Sequence, residues 1–299
     1  MQDRQIARNA LGSVIPIVVV PFGSDLAIEW GDFKREVDYL REAGAHSLAL
    51  GFGSEVNTLS VQEIRQIAVA IRDVASELAV VVSAFGVPDS GTSALAPDID
   101  WWMASPPPGE SKTVIGYYRQ LAALGRPIMV QDAPEQSGVE LSADRIAAIA
   151  REVPEVLALK IEAPPTARKI RSVREHVRNL PIYGGLHGLW LLEELAAGAD
   201  GSMPAAGYAD LFLRFMRRAD ETVAAFGPIA WLNRHIGQSF ELSLLLQKEL
   251  LRIRGVFHGR AYTRGSIEGL TPAECERLRA VWAQALALDG EPTWPNAQG

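Results

Sequence analysis

From residue 14 to residue 205, short apolar runs alternate with longer amphipathic stretches. Residues 14–20 are β-branched and few, the pattern of a buried strand. Residues 29–43 place Phe33, Val37 and Leu40 at helical spacing, and Gly44 stands where a helix C-cap belongs. Residues 47–51 predict the next strand. Ser60 and Glu63 form a capping box ahead of a helix over 61–78. Further strands are predicted at 79–84, 99–104, 127–133, 156–162, 181–185 and 201–205, with helices at 111–124, 142–152, 166–179 and 187–197.

Near-continuous apolar strands joined by helical crossovers are parallel and covered on both faces. The prediction is an α/β fold, a closed (β/α)8 TIM barrel. An open doubly wound sheet is the alternative, weakened because no G-x-G-x-x-G follows the first strand. The third crossover is abnormal. Residues 85–98 carry Gly86, Pro88, Gly91 and Pro97, which leave room for a loop or a single turn. After Ala205 the pattern becomes helical at 210–226, 229–254 and 271–288, with breaks near Gly227-Pro228 and His258-Gly259. Residues 1–226 are thus expected to form the barrel and 227–299 a C-terminal helical extension.

The length of 299 residues suits this architecture, since one such barrel takes about 250. With 48% hydrophobic and 22% charged residues, the chain has the balance of a soluble globular protein. A formal net charge of -7 argues against nucleic-acid or anionic-membrane partners. The single cysteine, Cys275, excludes an internal disulfide framework and fits a reducing cytoplasm. The apolar run at 14–22 is too short for a membrane span of about 20 residues. The polar, mixed-charge start does not read as a signal peptide.

Lys160 stands out within the apolar run at 156–161. Alternation puts Leu157, Leu159 and Ile161 on one strand face and Ala158, Lys160 and Glu162 on the other. If the first set packs under helices, Lys160 points inside the barrel. A desolvated lysine amine is a nucleophile towards carbonyls; the plain alternative is an ion pair with Glu162. Glu162 is either a general base or a charge partner. His187 begins the loop after the seventh strand, at the end where barrel chemistry sits. Asp132 is a strand-end carboxylate or a turn cap, and Tyr183 a reactive phenol or a packing residue. No cofactor is expected. The five histidines are scattered; the alternative is that strand ends bring Asp132, Glu162 and His187 together on one ion.

Several segments together resemble the dihydrodipicolinate synthase and N-acetylneuraminate lyase family of class I aldolases. Gly51-Phe52-Gly53-Ser54-Glu55 with Thr58-Leu59-Ser60 is similar to the family's G-[ST]-T-G-E…TL[ST] segment. Val130-Gln131-Asp132-Ala133-Pro134 with Ser137-Gly138-Val139 resembles YNxPxRTG. Leu159-Lys160 falls where the family has its Schiff-base lysine, and Gly184-Gly185-Leu186-His187-Gly188 and Gly198-Ala199-Asp200-Gly201 match its last strand ends. The resemblance implies a barrel with a helical extension, a Lys160 imine to a 2-oxo acid such as pyruvate, and a homotetramer. Gly53, Ser54, Gln131, Asp132, Tyr183 and Gly185 are the residues expected around the substrate; the resemblance makes Lys160 catalytic, and strand face and strand-end position add Glu162 and His187. The chain departs from the family in informative places. Phe52 and Gly53 replace hydroxyl residues, Gln131 replaces the proton-relaying tyrosine, and Gln136 replaces an arginine. Pro106-Pro107-Pro108 replaces the Pro-Tyr-Tyr segment. Lysine-biosynthesis synthase activity is therefore not expected. The leading expectation is a lyase or aldolase working through Lys160. The alternatives are a catalytically degenerate barrel that binds a small acid, and a metal-dependent 2-oxo acid lyase.

Overall fold

The structure is a computed structural model that describes residues 2–84, 86–218, 223–265 and 269–289. Seven parallel strands form one curled sheet in sequential order: β1 Ser47–Leu50, β2 Ala79–Ala84, β3 Trp101–Ala104, β4 Ile128–Asp132, β5 Val156–Ile161, β6 Ile182–Gly184 and β7 Gly201–Ser202. Each strand pairs with the next one in the chain. The sheet thus winds in one direction, unlike a doubly wound sheet, whose strand order reverses.

The first predicted strand does not form a ladder. Residues 14–20 run between the two edges of the sheet and make single bridges, Val14 to Ser202 on one side and Ile17 to both Ala49 and Ala205. The Ile15 N–H donates to the Ser202 carbonyl at 3.0 Å, and the Val18 N–H to the Ala49 carbonyl at 3.0 Å. Pro16, which has no N–H to donate, interrupts the run. The approach is close: a Cβ on Gly201 would lie 1.8 Å from the Ser13 carbonyl oxygen. Regular pairing therefore delivers seven strands rather than the eight expected.

Two apolar layers hold the sheet. The larger lies outside, where Leu48, Val80, Leu159 and Ile161 pack under the helices. The smaller fills the hollow with Ile15, Ile17, Val81, Met103, Ala158, Tyr183 and Met203. Helix Gln2–Leu11, absent from the sequence reading, closes the lower end by adding Ala7 and Leu11 to that inner layer. The alternation expected along β5 holds for Leu159 and Ile161. It fails at Leu157, which packs on the inner layer, because the register with β4 shifts between Ile128 and Met129.

The third crossover is reduced as expected. Asp89 caps a helix of six residues, Ser90–Leu95, and a 3₁₀ turn Ala96–Asp98 follows. Phe85, the first residue of that segment, lies outside the described residues. The C-terminal part contains helices Val223–Ile236, Phe240–Ile253 and Pro272–Asp289. The break expected at Gly227-Pro228 does not occur, since Pro228 sits inside the first of these. The chain breaks instead at 237–239, where Gly237 ends one helix and Ser239 caps the next through the Leu242 N–H at 3.2 Å. Among the described residues no helix is long and apolar enough to cross a membrane.

Candidate active site

The C-terminal ends of β4, β5 and β6 bring the chemistry together. Gln131, Lys160 and Tyr183 are direct partners across these strands, so they form one level of the sheet. Above that level the chain leaves β5 at Glu162 and β6 at Gly185. Lys160 and Glu162 are both buried, and Lys160 Nζ lies 3.0 Å from Glu162 Oε2. Gln131 Nε2 donates to the same oxygen at 2.8 Å. The Leu186 N–H donates to Glu162 Oε1 at 3.2 Å. Burial alone would raise the Glu162 carboxyl. The Lys160 ammonium, the Gln131 amide and the Leu186 N–H outweigh it and hold the carboxyl below its usual range. Glu162 is therefore an anion.

Gly185 is required by this arrangement. A Cβ there would lie 2.2 Å from Glu162 Oε1. Just beyond it, Leu186 and His187 take left-handed backbone angles, φ 49° and φ 58°. Two adjacent non-glycine residues in that region store strain. They turn His187 toward the same cavity. Burial lowers the imidazole pKa, Glu162 partly restores it and Lys160 lowers it again, so His187 is neutral at neutral pH.

A cavity of about 70 Å³ lies over this group, lined by Gly53, Gln131, Lys160, Glu162 and His187 among the expected residues. Its other walls are Ile17, Gly51, Phe52, Gln136, Leu186, Met203, Ala205 and Phe240. Sequence reasoning missed Phe240, which reaches the cavity from the start of helix Phe240–Ile253, far along the chain from the barrel motifs. Its position directly after the Ser239 cap was the available signal.

Three expected residues face elsewhere. The Ser54 hydroxyl donates to the Val18 carbonyl at 2.6 Å and accepts from the Gly51 N–H, so it braces the loop. Asp132 points to the outer side of β4, where it accepts the Leu141 N–H at 2.9 Å and pairs with Lys169 at 3.2 Å. That is the turn-cap alternative. Tyr183 points down the hollow and donates to the Gly12 carbonyl at 2.8 Å. Asp132 thus does not converge with Glu162 and His187, and among the described residues no three acidic, histidine or cysteine side chains gather as a metal site.

The chain matches the Dihydrodipicolinate synthetase family model over residues 107–213. It is 28% identical over 265 residues to an L-2-keto-3-deoxyarabonate dehydratase of Azospirillum brasilense, covering 81% of this chain and 84% of that one. A 4-hydroxy-tetrahydrodipicolinate synthase of Desulforamulus reducens is 26% identical over 212 residues, 66% of this chain and 70% of the relative. Among solved structures, dihydrodipicolinate synthase from Rhodopseudomonas palustris superposes with a TM-score of 0.83 at 23% identity, over 91% of this chain and 97% of that one. The sialic acid aldolase of Ruminococcus gnavus superposes with a TM-score of 0.80 at 16% identity, over 94% and 98%. The matched segment holds β4, β5, β6 and the Lys160–Glu162 pair, so the part of the chain that is similar to the Dihydrodipicolinate synthetase family is the part that builds this site.

Proposed function

We propose that this chain is a Schiff-base-forming lyase that captures a 2-oxo acid on Lys160 and eliminates water from it. The observation that carries the proposal is the buried Lys160–Glu162 contact of 3.0 Å at the wall of a cavity. Glu162, ionised beside the lysine, accepts the proton that the ammonium must lose before the amine attacks the C2 carbonyl. Loss of water gives a protonated imine. That imine draws electrons from C3, so a C3 proton can leave to Glu162 or His187. The resulting enamine expels a hydroxyl from C4, and water then hydrolyses the imine to release product. Gly53, which lines the cavity, takes the substrate carboxylate end through its backbone N–H, in place of missing hydroxyls.

Dehydration is favoured over condensation for two reasons. A relative that spans 81% of this chain is named a dehydratase. Gln131 and Gln136 supply neither a phenol proton nor a guanidinium. A second cavity, about 310 Å³, shares Gln136, Leu186, His187 and Phe240 with the first. Asn233, Gln238, Ser239 and Trp190 line it, groups suited to a neutral hydroxylated tail. The substrate is therefore a sugar-derived 2-oxo acid. We further propose that the bridged segment 14–20 completes a (β/α)8 barrel, that residues 227–299 form its helical extension, and that the protein is a cytoplasmic homotetramer.

Borohydride reduction with pyruvate, followed by intact mass measurement, tests the central step. The expected result is one covalent adduct per chain, absent in Lys160→Ala. No adduct with pyruvate or with a panel of sugar-derived 2-oxo acids would leave a binding protein, the second reading.

A further inference from the structure

Glu194 is a buried carboxylate that the chemistry above does not use. It lies on helix Leu191–Ala196, behind the strand end that carries Gly184 and Gly185. The residue is wholly shielded from solvent, and neither carboxylate oxygen has a well-formed hydrogen bond. The fit is tight, because a Cβ on Gly184 would lie 1.8 Å from Glu194 Oε2. β6 offers it only that glycine. Helix Thr166–His176 offers the Thr166 hydroxyl, the end of β5 offers Glu162, and its own helix offers Glu193. Among the described residues no cation acts on it. Burial pushes its carboxyl up to about 7, the Thr166 hydroxyl draws it down, and Glu162 and Glu193 push it further up. Across neutral pH the group therefore goes from neutral to charged. An ionised Glu194 sets a second negative charge that acts on Glu162, which itself lines the cavity.

We propose that Glu194 is a positioning residue for substrate capture: neutral, it lets the Lys160–Glu162 pair accept a 2-oxo acid carboxylate, and ionised, it repels that carboxylate. The proposal rests on the reading of Lys160 as the capturing group.

Pyruvate is the probe, and the readout is the concentration giving half-maximal borohydride-trapped adduct between pH 5.5 and 8.5. In the wild type this concentration is expected to rise about fivefold across pH 7, as for one added nearby charge, while the adduct yield at saturation stays constant. Glu194→Gln, whose side chain cannot ionise, is expected to remove the rise. Thr166→Val removes the hydroxyl that favours the charged form, so its midpoint is expected to move to higher pH. That variant also decides the matter if Glu194→Gln fails to fold. Identical pH profiles in wild type and variants would overturn the proposal, as would a change confined to the yield. Absence of any adduct would instead overturn the imine reading. The melting temperatures of wild type and Glu194→Gln then judge Glu194 separately, and a difference between them that does not change from pH 5 to pH 8 would overturn its change of charge.

Discussion

Lys160 and Glu162 have different parts in the proposed reaction, and this separates their substitutions. Removing the amine in Lys160→Ala removes the bond-forming atom, so adduct formation is expected to vanish. Glu162→Gln keeps the shape and the contact with Gln131 but loses the proton acceptor. A loss of roughly 10²–10⁴-fold in turnover is expected, the usual range for one general base, with the adduct still detectable at long times. His187→Asn is expected to cost less and to change the acid side of the pH–rate profile, because burial keeps the imidazole neutral until pH falls below its ordinary value. Asp132→Asn should behave oppositely. Its carboxylate caps Leu141 and pairs with Lys169 outside the cavity, so about 1 kcal/mol of stability is expected to go while turnover holds. Glu194 adds a pH dependence of stability whose sign is fixed. Its folded carboxyl titrates at about 7 against an ordinary value of 4.5, so the native state keeps a proton that the unfolded chain has lost. Relative to Glu194→Gln, stability is expected to be greatest below pH 4.5 and to fall as pH rises to about 7, by at most about 3 kcal/mol. Thermal melts of the pair across that range check it.

Elements were legible where one periodicity ruled a whole segment. Each of β1 to β7 lies within a stretch read from apolar runs, and the shortened third crossover followed from Pro88, Gly91 and Pro97. Lys160, Glu162 and His187 were legible too, because strand alternation and strand-end position decide which side chains face the cavity; Gln131 was legible only through the resemblance of its segment. Failures came where tertiary contacts override local signals. Residues 14–20 read as a strand, yet Pro16 and the narrow gap between the sheet edges leave only single bridges. Ser54 and Asp132 sit in the right motifs but spend their oxygens on nearby backbone N–H groups, which spacing does not reveal. Gly237 ended a helix that the apolar pattern carried straight through. Pro228 was read as a breaker but lies within Val223–Ile236, where it withholds a backbone N–H and crowds the preceding turn. Pro228→Ala is therefore expected to stabilise the extension by about 1–3 kcal/mol, read from urea unfolding. Gly185→Ala is the opposite case. Its new Cβ would overlap the Glu162 carboxylate, so turnover is expected to fall as far as in Glu162→Gln while the fold is retained.

For the molecule as a whole, the decisive question is which reaction the proposed Lys160 chemistry performs in a cavity whose walls carry neither the hydroxyl pair nor the phenol that the resemblance leads one to expect. The cavity is lined by Phe52, Gly53, Gln131 and Gln136. A synthase must bind a second substrate, aspartate semialdehyde, and move protons to join it to the enamine. Without a positioned phenol to move those protons, that reaction is expected to lose roughly 10²–10⁴-fold, the usual range for one general acid or base. Elimination of water needs no second substrate, and its proton transfers fall to Glu162 and His187, which both line the cavity. The adjoining space of about 310 Å³ has room for a hydroxylated chain that pyruvate does not possess. The expected outcome is dehydration of a 3-deoxy-2-oxo sugar acid, followed by absorbance of the product, with no measurable condensation of pyruvate and aspartate semialdehyde. Gln238→Ala and Trp190→Ala are then expected to raise KM for the sugar acid by roughly tenfold, the scale of one or two lost contacts, while leaving capture of pyruvate unaltered. Efficient dihydrodipicolinate synthesis by the wild type would refute the argument from the missing groups. Equal losses for pyruvate and the sugar acid in those two variants would refute the role of the outer cavity.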